Sequence, residues 1–271
     1  MDNRPIGVFD SGVGGLTAVR QLQALLPGED IVYFGDTGRV PYGTRSPETI
    51  FQYAKQDITF LLSKNVKYII AACGTVSSIL PESYTDSLPV PYTGVLSAAV
   101  AAAVKASASG RIGVIGTPAT IRSNSYRQRI EALRPSAPVT TNPCPLFVPL
   151  VENGYVQAGN VVTTTVAEEY LAPLRKAEVD TLILGCTHYP LIAGIIDDVM
   201  GGSAALSDPG RETALVAREK LSCAGLLAEE GRTGRTEYYV SDLPESFETT
   251  MERFLQPEFI TSPRVVAIEN Y

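Results

Sequence analysis

Short apolar runs alternate along the chain with longer segments whose apolar residues recur at helical spacing. Residues 6–9 are apolar and lead into a glycine-rich turn, after which residues 16–26 carry leucine or valine about every third position. Further strands are predicted at residues 31–34, 66–72, 111–116, 138–141, 181–185 and 237–240, and further helices at residues 50–62, 95–105, 161–174 and 211–229. Strands separated by helices predict an α/β fold with mainly parallel sheets covered on both faces.

A weak internal repeat accompanies this pattern. Residues 6–11 (IGVFDS) are similar to residues 112–117 (IGVIGT), and residues 69–75 (IIAACGT) are similar to residues 183–188 (ILGCTH). Repeated supersecondary units predict two related lobes. Since ligands bind beyond the carboxyl ends of parallel strands, two such lobes would hold an active site in the cleft between them.

The predicted lobes are pseudo-symmetric, and each is a mainly parallel sheet flanked by helices. We expect residues 1–96 plus 209–271 to form the first lobe, which carries Cys73. Residues 97–208 are expected to form the second lobe, which carries Cys186. The tail of the chain would then return to the first lobe.

Two of the four cysteines, Cys73 and Cys186, directly follow a predicted strand and precede a predicted helix. A helix N-terminus is expected to lower the pKa of such a thiol. His188 is the only histidine and lies two residues after Cys186, where it could relay a proton. No cysteine belongs to a C-x-x-C pair, so a zinc or redox motif is not expected. A buried structural cysteine and a nucleophilic cysteine of a hydrolase or amidase remain alternatives.

The presence of two matched cysteine motifs favours proton transfer over nucleophilic attack. Racemisation removes the α-proton from one face of a carbon and returns a proton to the other, so it needs two groups on opposed walls. Chemically similar groups suit a reaction that must run in both directions. Asp10 and Glu152 are candidate carboxylates that could tune or relay the protons, with His188 on the Cys186 side.

Two loops that follow strands carry further candidate chemistry. The turn at residues 10–15 (DSGVGG) would suit an anion at a helix start, and it partly matches a dinucleotide fingerprint in which Asp36 would bind the ribose. Thr17 occupies the place of the third glycine, which weakens that interpretation. Residues 35–37 (GDT) and 41–43 (PYG) form a second loop, which is either an ordinary turn or a wall of the site.

Composition narrows the possible partners. The chain has 271 residues, 45% of them hydrophobic, which is enough for a substantial core. It has no apolar run of membrane-spanning length and no signal-peptide pattern at its start, so we expect a cytoplasmic protein without a membrane partner. A formal net charge of −7 argues against nucleic acid as a partner, and an anionic substrate would need local donors.

Six ordered segments between residues 6 and 192 resemble the glutamate racemase family. They are IGVFDSGVGGLTAVRQL, YFGDTGRVPYGTRS, AACGT, GVIGTPATIRSNSY, CPLFVPLVENG and LILGCTHYPLI, and the tail segment TEYYVSDLPESFETTMERFL is similar too. The resemblance implies two α/β lobes, often in a homodimer, that interconvert L- and D-glutamate without cofactor or metal. It also implies a role in supplying D-glutamate for peptidoglycan, and hence in cell wall biogenesis and cell shape.

By the same resemblance, Cys73 and Cys186 are the two acid–base thiols. The implied catalytic set is Cys73, Cys186, Asp10, His188 and Glu152, and the implied substrate-binding set is Asp10, Ser11, Asp36, Pro41, Tyr42, Gly43, Gly74, Thr75, Thr187 and His188.

One position departs from the family pattern, which usually reads Cys-Asn-Thr where this chain reads Cys73-Gly74-Thr75. The missing amide would cost one hydrogen bond to the substrate, worth roughly 0.5–1.5 kcal/mol. A racemase of another amino acid such as aspartate is therefore one alternative. A two-lobed ligand-binding protein without catalysis is another, although it would not explain two cysteine motifs.

Overall fold

The computed structural model describes residues 1–243, 247–255 and 261–271. Within these residues, ten strands form two sheets in which every paired strand is parallel. The strands are β1 (Ile6–Asp10), β2 (Ile31–Gly35), β3 (Tyr68–Ala71), β4 (Tyr92–Gly94), β5 (Ile112–Gly116), β6 (Val139–Pro143), β7 (Thr181–Leu184), β8 (Ala205–Ser207), β9 (Thr236–Val240) and β10 (Arg264–Val265).

Helices connect the strands on both faces of the sheets. They are α1 (Leu16–Leu25), α2 (Pro47–Ser63), α3 (Gly74–Ile79), α4 (Glu82–Thr85), α5 (Val95–Ala106), α6 (Pro118–Arg122), α7 (Ser125–Leu133), α8 (Phe147–Glu152), α9 (Val161–Lys176), α10 (Ala193–Met200), α11 (Pro209–Cys223) and α12 (Phe247–Phe254). Short 3₁₀ helices lie at Thr37–Arg39, Tyr42–Thr44, Tyr189–Ile192 and Ile268–Asn270.

The strand order confirms the predicted pair of related lobes. The first sheet has the order β10-β9-β2-β1-β3-β4, and the second has the order β6-β5-β7-β8. The run β2-β1-β3-β4 therefore has the same arrangement as β6-β5-β7-β8. In this correspondence β3, which precedes Cys73, is equivalent to β7, which precedes Cys186. The lobe boundaries stay a prediction. Residues 244–246, which belong to the tail segment, and residues 256–260 of the predicted first lobe lie outside the described residues.

The central strands are apolar because both of their faces are covered. Every residue of β1, β2, β3, β5 and β7 is buried. Helices pack against both sides, so the strands read as continuous apolar runs without alternation. None of the helices in the described part of the chain is long and apolar enough to cross a membrane.

One predicted helix ends earlier than its apolar pattern indicated. Helix α11 stops at Cys223, whereas the sequence predicted a helix as far as residue 229. Gly225 adopts a positive φ of 67°, and the Leu226 amide donates to the Leu221 carbonyl at 2.8 Å. This is a glycine C-cap in which backbone bonds close the last turn, and it overrides the apolar residues that follow.

Candidate active site

A cavity of about 590 Å³ lies between the two sheets, at the carboxyl ends of their strands. All but one of the predicted site residues line it. They are Asp10, Ser11, Pro41, Tyr42, Gly43, Cys73, Gly74, Thr75, Glu152, Cys186, Thr187 and His188. A groove of about 670 Å³ along α5 and α11 contains none of these residues. The fold thus gathers into one cleft side chains that lie up to 178 positions apart in the chain, since the cleft includes both Asp10 and His188.

Cys73 occupies the N-cap position of α3, and its side chain is buried. Its Sγ donates to the Ser11 Oγ at 3.3 Å. Burial, reinforced by the nearby charge of Asp10, raises the pKa of the Cys73 thiol to about 12. The expectation that a helix N-terminus lowers this pKa is therefore wrong for Cys73, because desolvation of the thiolate outweighs the hydrogen bonds it receives.

Cys186 lies in a turn and not at the start of an α-helix. A 3₁₀ helix, Tyr189–Ile192, comes first, and α10 begins only at Ala193. The Tyr189 amide donates to the Cys186 carbonyl at 3.1 Å, which is the tight bond typical of such a turn. The predicted helix N-terminus at Cys186 is thus wrong, and the surroundings of this thiol are set by side chains.

His188 connects Cys186 to Glu152. Its Nδ1 lies 3.7 Å from the Cys186 Sγ, and its Nε2 lies 3.0 Å from the Glu152 Oε1. Burial opposes the charged imidazole, but the contacts with Cys186 and Glu152 outweigh it and raise the pKa of His188 to about 10. His188 is therefore an imidazolium at neutral pH, and it places a positive charge beside the Cys186 sulfur.

Asp10 acts on the first thiol through its charge. It is the last residue of β1 and is only 2% exposed, and its Oδ2 accepts from the Gly12 amide at 3.0 Å. Burial raises the pKa of Asp10, while the charge of His188 opposes that rise. The carboxyl group thus lies within electrostatic reach of both Cys73 and His188.

Asp36 is the predicted site residue that does not line the cavity. It is fully buried behind the wall, where its Oδ2 accepts from the Tyr42 hydroxyl and, at 2.6 Å, from the Arg39 Nε. Its Oδ1 accepts from the Ser241 Oγ at 2.7 Å. Burial and the charges of Asp57 and Asp36 raise the pKa of Tyr42, so the hydroxyl stays protonated as a donor. Asp36 therefore holds the Tyr42 loop and has no place in the cavity lining.

The glycine-rich turn is closed against the second lobe. A Cβ atom at Gly14 would lie 2.3 Å from the Thr187 Oγ1 and 2.6 Å from the His188 ring. The Thr17 hydroxyl also donates to the Thr187 carbonyl at 2.9 Å. Gly14 thus allows close packing between the lobes, which explains this glycine without a phosphate cradle. Over the described residues, no three His, Cys, Asp or Glu side chains cluster as a metal site.

The cavity lining includes four polar residues that the sequence analysis did not predict, namely Thr44, Thr117, Thr120 and Arg122. Thr117 follows β5 as Ser11 follows β1, so the internal repeat offered a signal for it. Thr120 lies beside it, with 3.0 Å between the two hydroxyl oxygens. Arg122 is the only lysine or arginine among the lining residues of the described chain, and no periodicity pointed to it.

A two-lobed α/β architecture that brings Cys73, which follows β3, and Cys186, which follows β7, into one cleft is typical of an enzyme that acts on a small molecule. The model of the Asp/Glu/Hydantoin racemase family matches residues 16–214. The chain belongs to the Asp/Glu/hydantoin racemase family and is an isomerase of the racemase class.

Its relatives and structural neighbours include glutamate racemases. The chain is 44% identical to the glutamate racemase of Geobacter metallireducens over 93% of both chains. It is 50% identical to that of Streptococcus sanguinis over 78% of this chain and 79% of the other. The glutamate racemase of Francisella tularensis, crystallised in complex with D-glutamate, superposes with a TM-score of 0.91 at 39% identity, covering 100% of each chain.

Proposed function

We propose that this racemase interconverts L- and D-glutamate by proton transfer between Cys73 and Cys186. The observation that carries the proposal is the placement of both thiols in one cavity, each two residues beyond the carboxyl end of equivalent strands, β3 and β7. Inversion at one carbon requires proton-transfer groups on opposite sides of that carbon. The similarity to glutamate racemases supports glutamate as the substrate.

The proposed step conserves protons and charge. The thiolate of one cysteine takes the α-proton, and the electron pair of the C–H bond stays on the α-carbon and spreads into the adjoining carboxylate. The thiol of the other cysteine then donates its proton to the opposite face and becomes the thiolate. Hydroxyl groups of Ser11, Thr75 and Thr187 lie in the cavity lining and are proposed to orient the carboxylates and stabilise the developing charge.

The two thiols begin from unequal states. The raised pKa of Cys73 keeps it a neutral thiol at pH 7, ready to donate. Cys186 instead lies beside the imidazolium of His188, with 3.7 Å between its Sγ and the His188 Nδ1. We therefore propose Cys186 as the base and Cys73 as the acid of the resting enzyme. Asp10 and the His188–Glu152 pair would relay or stabilise protons as the roles exchange.

The cellular setting is proposed from the family resemblance. We propose a cytoplasmic homodimer that supplies D-glutamate for peptidoglycan. We propose further that it works without metal or cofactor, because the two thiols supply both proton-transfer groups. Light scattering on the purified protein checks the assembly, since a dimer of this 29.0 kDa chain has twice that mass.

The decisive experiment replaces each cysteine in turn. Racemisation is followed by circular dichroism starting from L- and from D-glutamate, with aspartate in parallel, for Cys73→Ser, Cys186→Ser and the control Cys223→Ser. Cys223 is exposed and lies outside the cavity lining. Each cavity variant should lose roughly 10²–10⁴-fold in kcat, the usual contribution of one acid–base group. The control should match wild type.

Three results would contradict the proposal. Wild-type turnover of aspartate with none of glutamate would overturn the substrate. Racemisation by either Cys73→Ser or Cys186→Ser at the wild-type rate would overturn the two-thiol mechanism, and no turnover of any amino acid would favour a binding protein.

A further inference from the structure

Gly74 makes a close contact between the two lobes. A Cβ atom built on Gly74 would lie 2.9 Å from the carbonyl oxygen of Gly185, and its other near neighbours are the Gly185 carbonyl carbon and the Thr120 hydroxyl. All of these atoms belong to the segments that follow β5 and β7 in the second sheet. The contact therefore joins the residue after Cys73 to the residue before Cys186.

From this contact we infer that Gly74 is a positioning residue, whose missing side chain lets the two thiol-bearing segments approach to their working separation. This inference rests on the proposed two-thiol mechanism. It assigns to Gly74 a spatial role, whereas the substitution of the family's usual asparagine indicated only a lost hydrogen bond.

The surroundings of Gly185 leave its carbonyl little room to retreat. The Gly185 amide donates to the Ile115 carbonyl at 2.7 Å. A Cβ atom on Gly185 itself would lie 2.6 Å from that oxygen and 3.4 Å from the ring of Tyr126, which is buried. The second lobe is thus tightly packed behind the contact, so in this chain we expect a side chain at position 74 to be accommodated by an opening between the lobes.

Hydrogen bonds at the start of α3 also fix the backbone of Gly74 in the first lobe. Gly74 opens α3, where the Ser78 hydroxyl donates to its carbonyl at 2.7 Å and the Ser77 amide donates to the Cys73 carbonyl at 2.9 Å. Gly74 has helical backbone geometry and needs no positive φ, so alanine suits its backbone. The effect of a substitution here therefore comes from the contact across the cleft.

The expected loss of rate in Gly74→Ala follows from the distance between the built Cβ atom and the Gly185 carbonyl oxygen. An ordinary van der Waals contact begins near 3.4 Å, so a methyl group at position 74 demands an opening of at least about 0.5 Å. A misplacement of about 1 Å can cost about 10²-fold in rate, so half of that opening is expected to cost about tenfold. We expect Gly74→Ala to lower kcat for inversion about tenfold and Gly74→Asn to lower it further.

The experiment compares Gly74→Ala and Gly74→Asn with wild type and with the control Gly194→Ala. Gly194 is also near the start of a helix, α10, but a Cβ there would meet nothing within 4 Å. L-glutamate is incubated in D₂O, and two quantities are measured: inversion to D-glutamate, and deuterium in the recovered L-glutamate. Inversion needs both thiols, whereas exchange with retention needs one thiol and solvent.

A wider cleft should slow inversion more than exchange with retention. The ratio of deuterium in recovered L-glutamate to inversion should therefore rise about tenfold in Gly74→Ala and stay at the wild-type value in Gly194→Ala. A role of Gly74 in general stability would lower both quantities together. The melting temperatures of the two alanine variants should agree with wild type within about 4 °C.

Several outcomes would overturn the inference. An unchanged ratio of deuterium in recovered L-glutamate to inversion in Gly74→Ala would show that the separation of the two thiols does not depend on Gly74. Faster inversion by Gly74→Asn than by wild type would show that the glycine only removes a hydrogen bond to the substrate. Unfolding of Gly74→Ala beside a stable Gly194→Ala would show that the lobes cannot separate as inferred. If wild type itself fails to invert glutamate, the proposed function fails, and that result is separate from all of these.

Discussion

The charge of His188 gives the sharpest test of the electrostatics of this site. Its pKa rises from 6.5 to about 10, which corresponds to about 5 kcal/mol of preference for the imidazolium. Part of that preference comes from Glu152, whose carboxylate lies 3.0 Å from the Nε2. The perturbation we choose is Glu152→Gln, which keeps the shape of the side chain and removes its charge.

The expected effect of Glu152→Gln on the pKa of His188 is smaller than the contact distance alone implies. The Glu152 side chain is 46% exposed, so solvent screens its share of the interaction. Removing the Glu152 charge should therefore lower the pKa of His188 by only part of its total rise. Cys186 continues to hold the imidazolium, so the pKa should stay above the ordinary value.

The assay is an NMR titration of the imidazole ring in tag-free protein, which is unambiguous because the chain has one histidine. Wild type should titrate near pH 10. The control Glu168→Gln removes one negative charge from an exposed position on α9 and should leave the midpoint in place. The reasoning is refuted if wild type titrates near 6.5 or if Glu152→Gln does not move the midpoint.

The same raised pKa predicts how stability depends on pH. Because the pKa of His188 is higher in the folded chain than in the unfolded chain, its contribution is fully present below pH 6.5 and is lost as pH rises through about 10. Urea unfolding between these limits should show a smaller loss for Glu152→Gln than for wild type. Equal losses in both proteins would contradict this linkage.

Two further substitutions test the walls of the cleft. Arg122→Gln should lower kcat/KM for glutamate about fivefold, because it removes an exposed cation near an anionic substrate. The loss should be smaller at high salt, which screens this attraction. The control Lys105→Gln removes an equal charge outside the cleft and should have little effect. Tyr42→Phe should lower the free energy of unfolding by about 1–3 kcal/mol in urea titration, since it removes the single hydroxyl proton for which the buried carboxylates Asp36 and Asp57 compete. An Arg122→Gln effect that is independent of salt, or an unchanged urea midpoint for Tyr42→Phe, would contradict these expectations.

The order of strands and helices could be predicted from the sequence because each element depends mainly on nearby residues. An apolar run such as residues 181–185 predicts a buried strand wherever its neighbours lie. The end of α11 was misplaced because a backbone cap at Gly225 stopped it, and apolar spacing does not register such a cap. Cys73 and Cys186 could also be selected from the sequence, since each follows a strand and the two segments repeat.

What only the tertiary structure decided is how those residues act on one another. Asp36 and Tyr42 are six positions apart, yet burial directs the carboxylate behind the cavity wall instead of into it. The pKa of Cys73 rises where a helix start predicted a fall, because desolvation depends on everything packed around the thiol.

The sequence alone determined that two similar segments each end in a cysteine and that Gly74 stands beside one of them. The contact of Gly74 with Gly185 arises only when segments more than a hundred positions apart meet across the cleft. The charge on His188 depends on its contact with Glu152, more than thirty positions away in the same lobe. Distances and desolvation are properties of the packed molecule, since they depend on residues that local sequence patterns do not bring together.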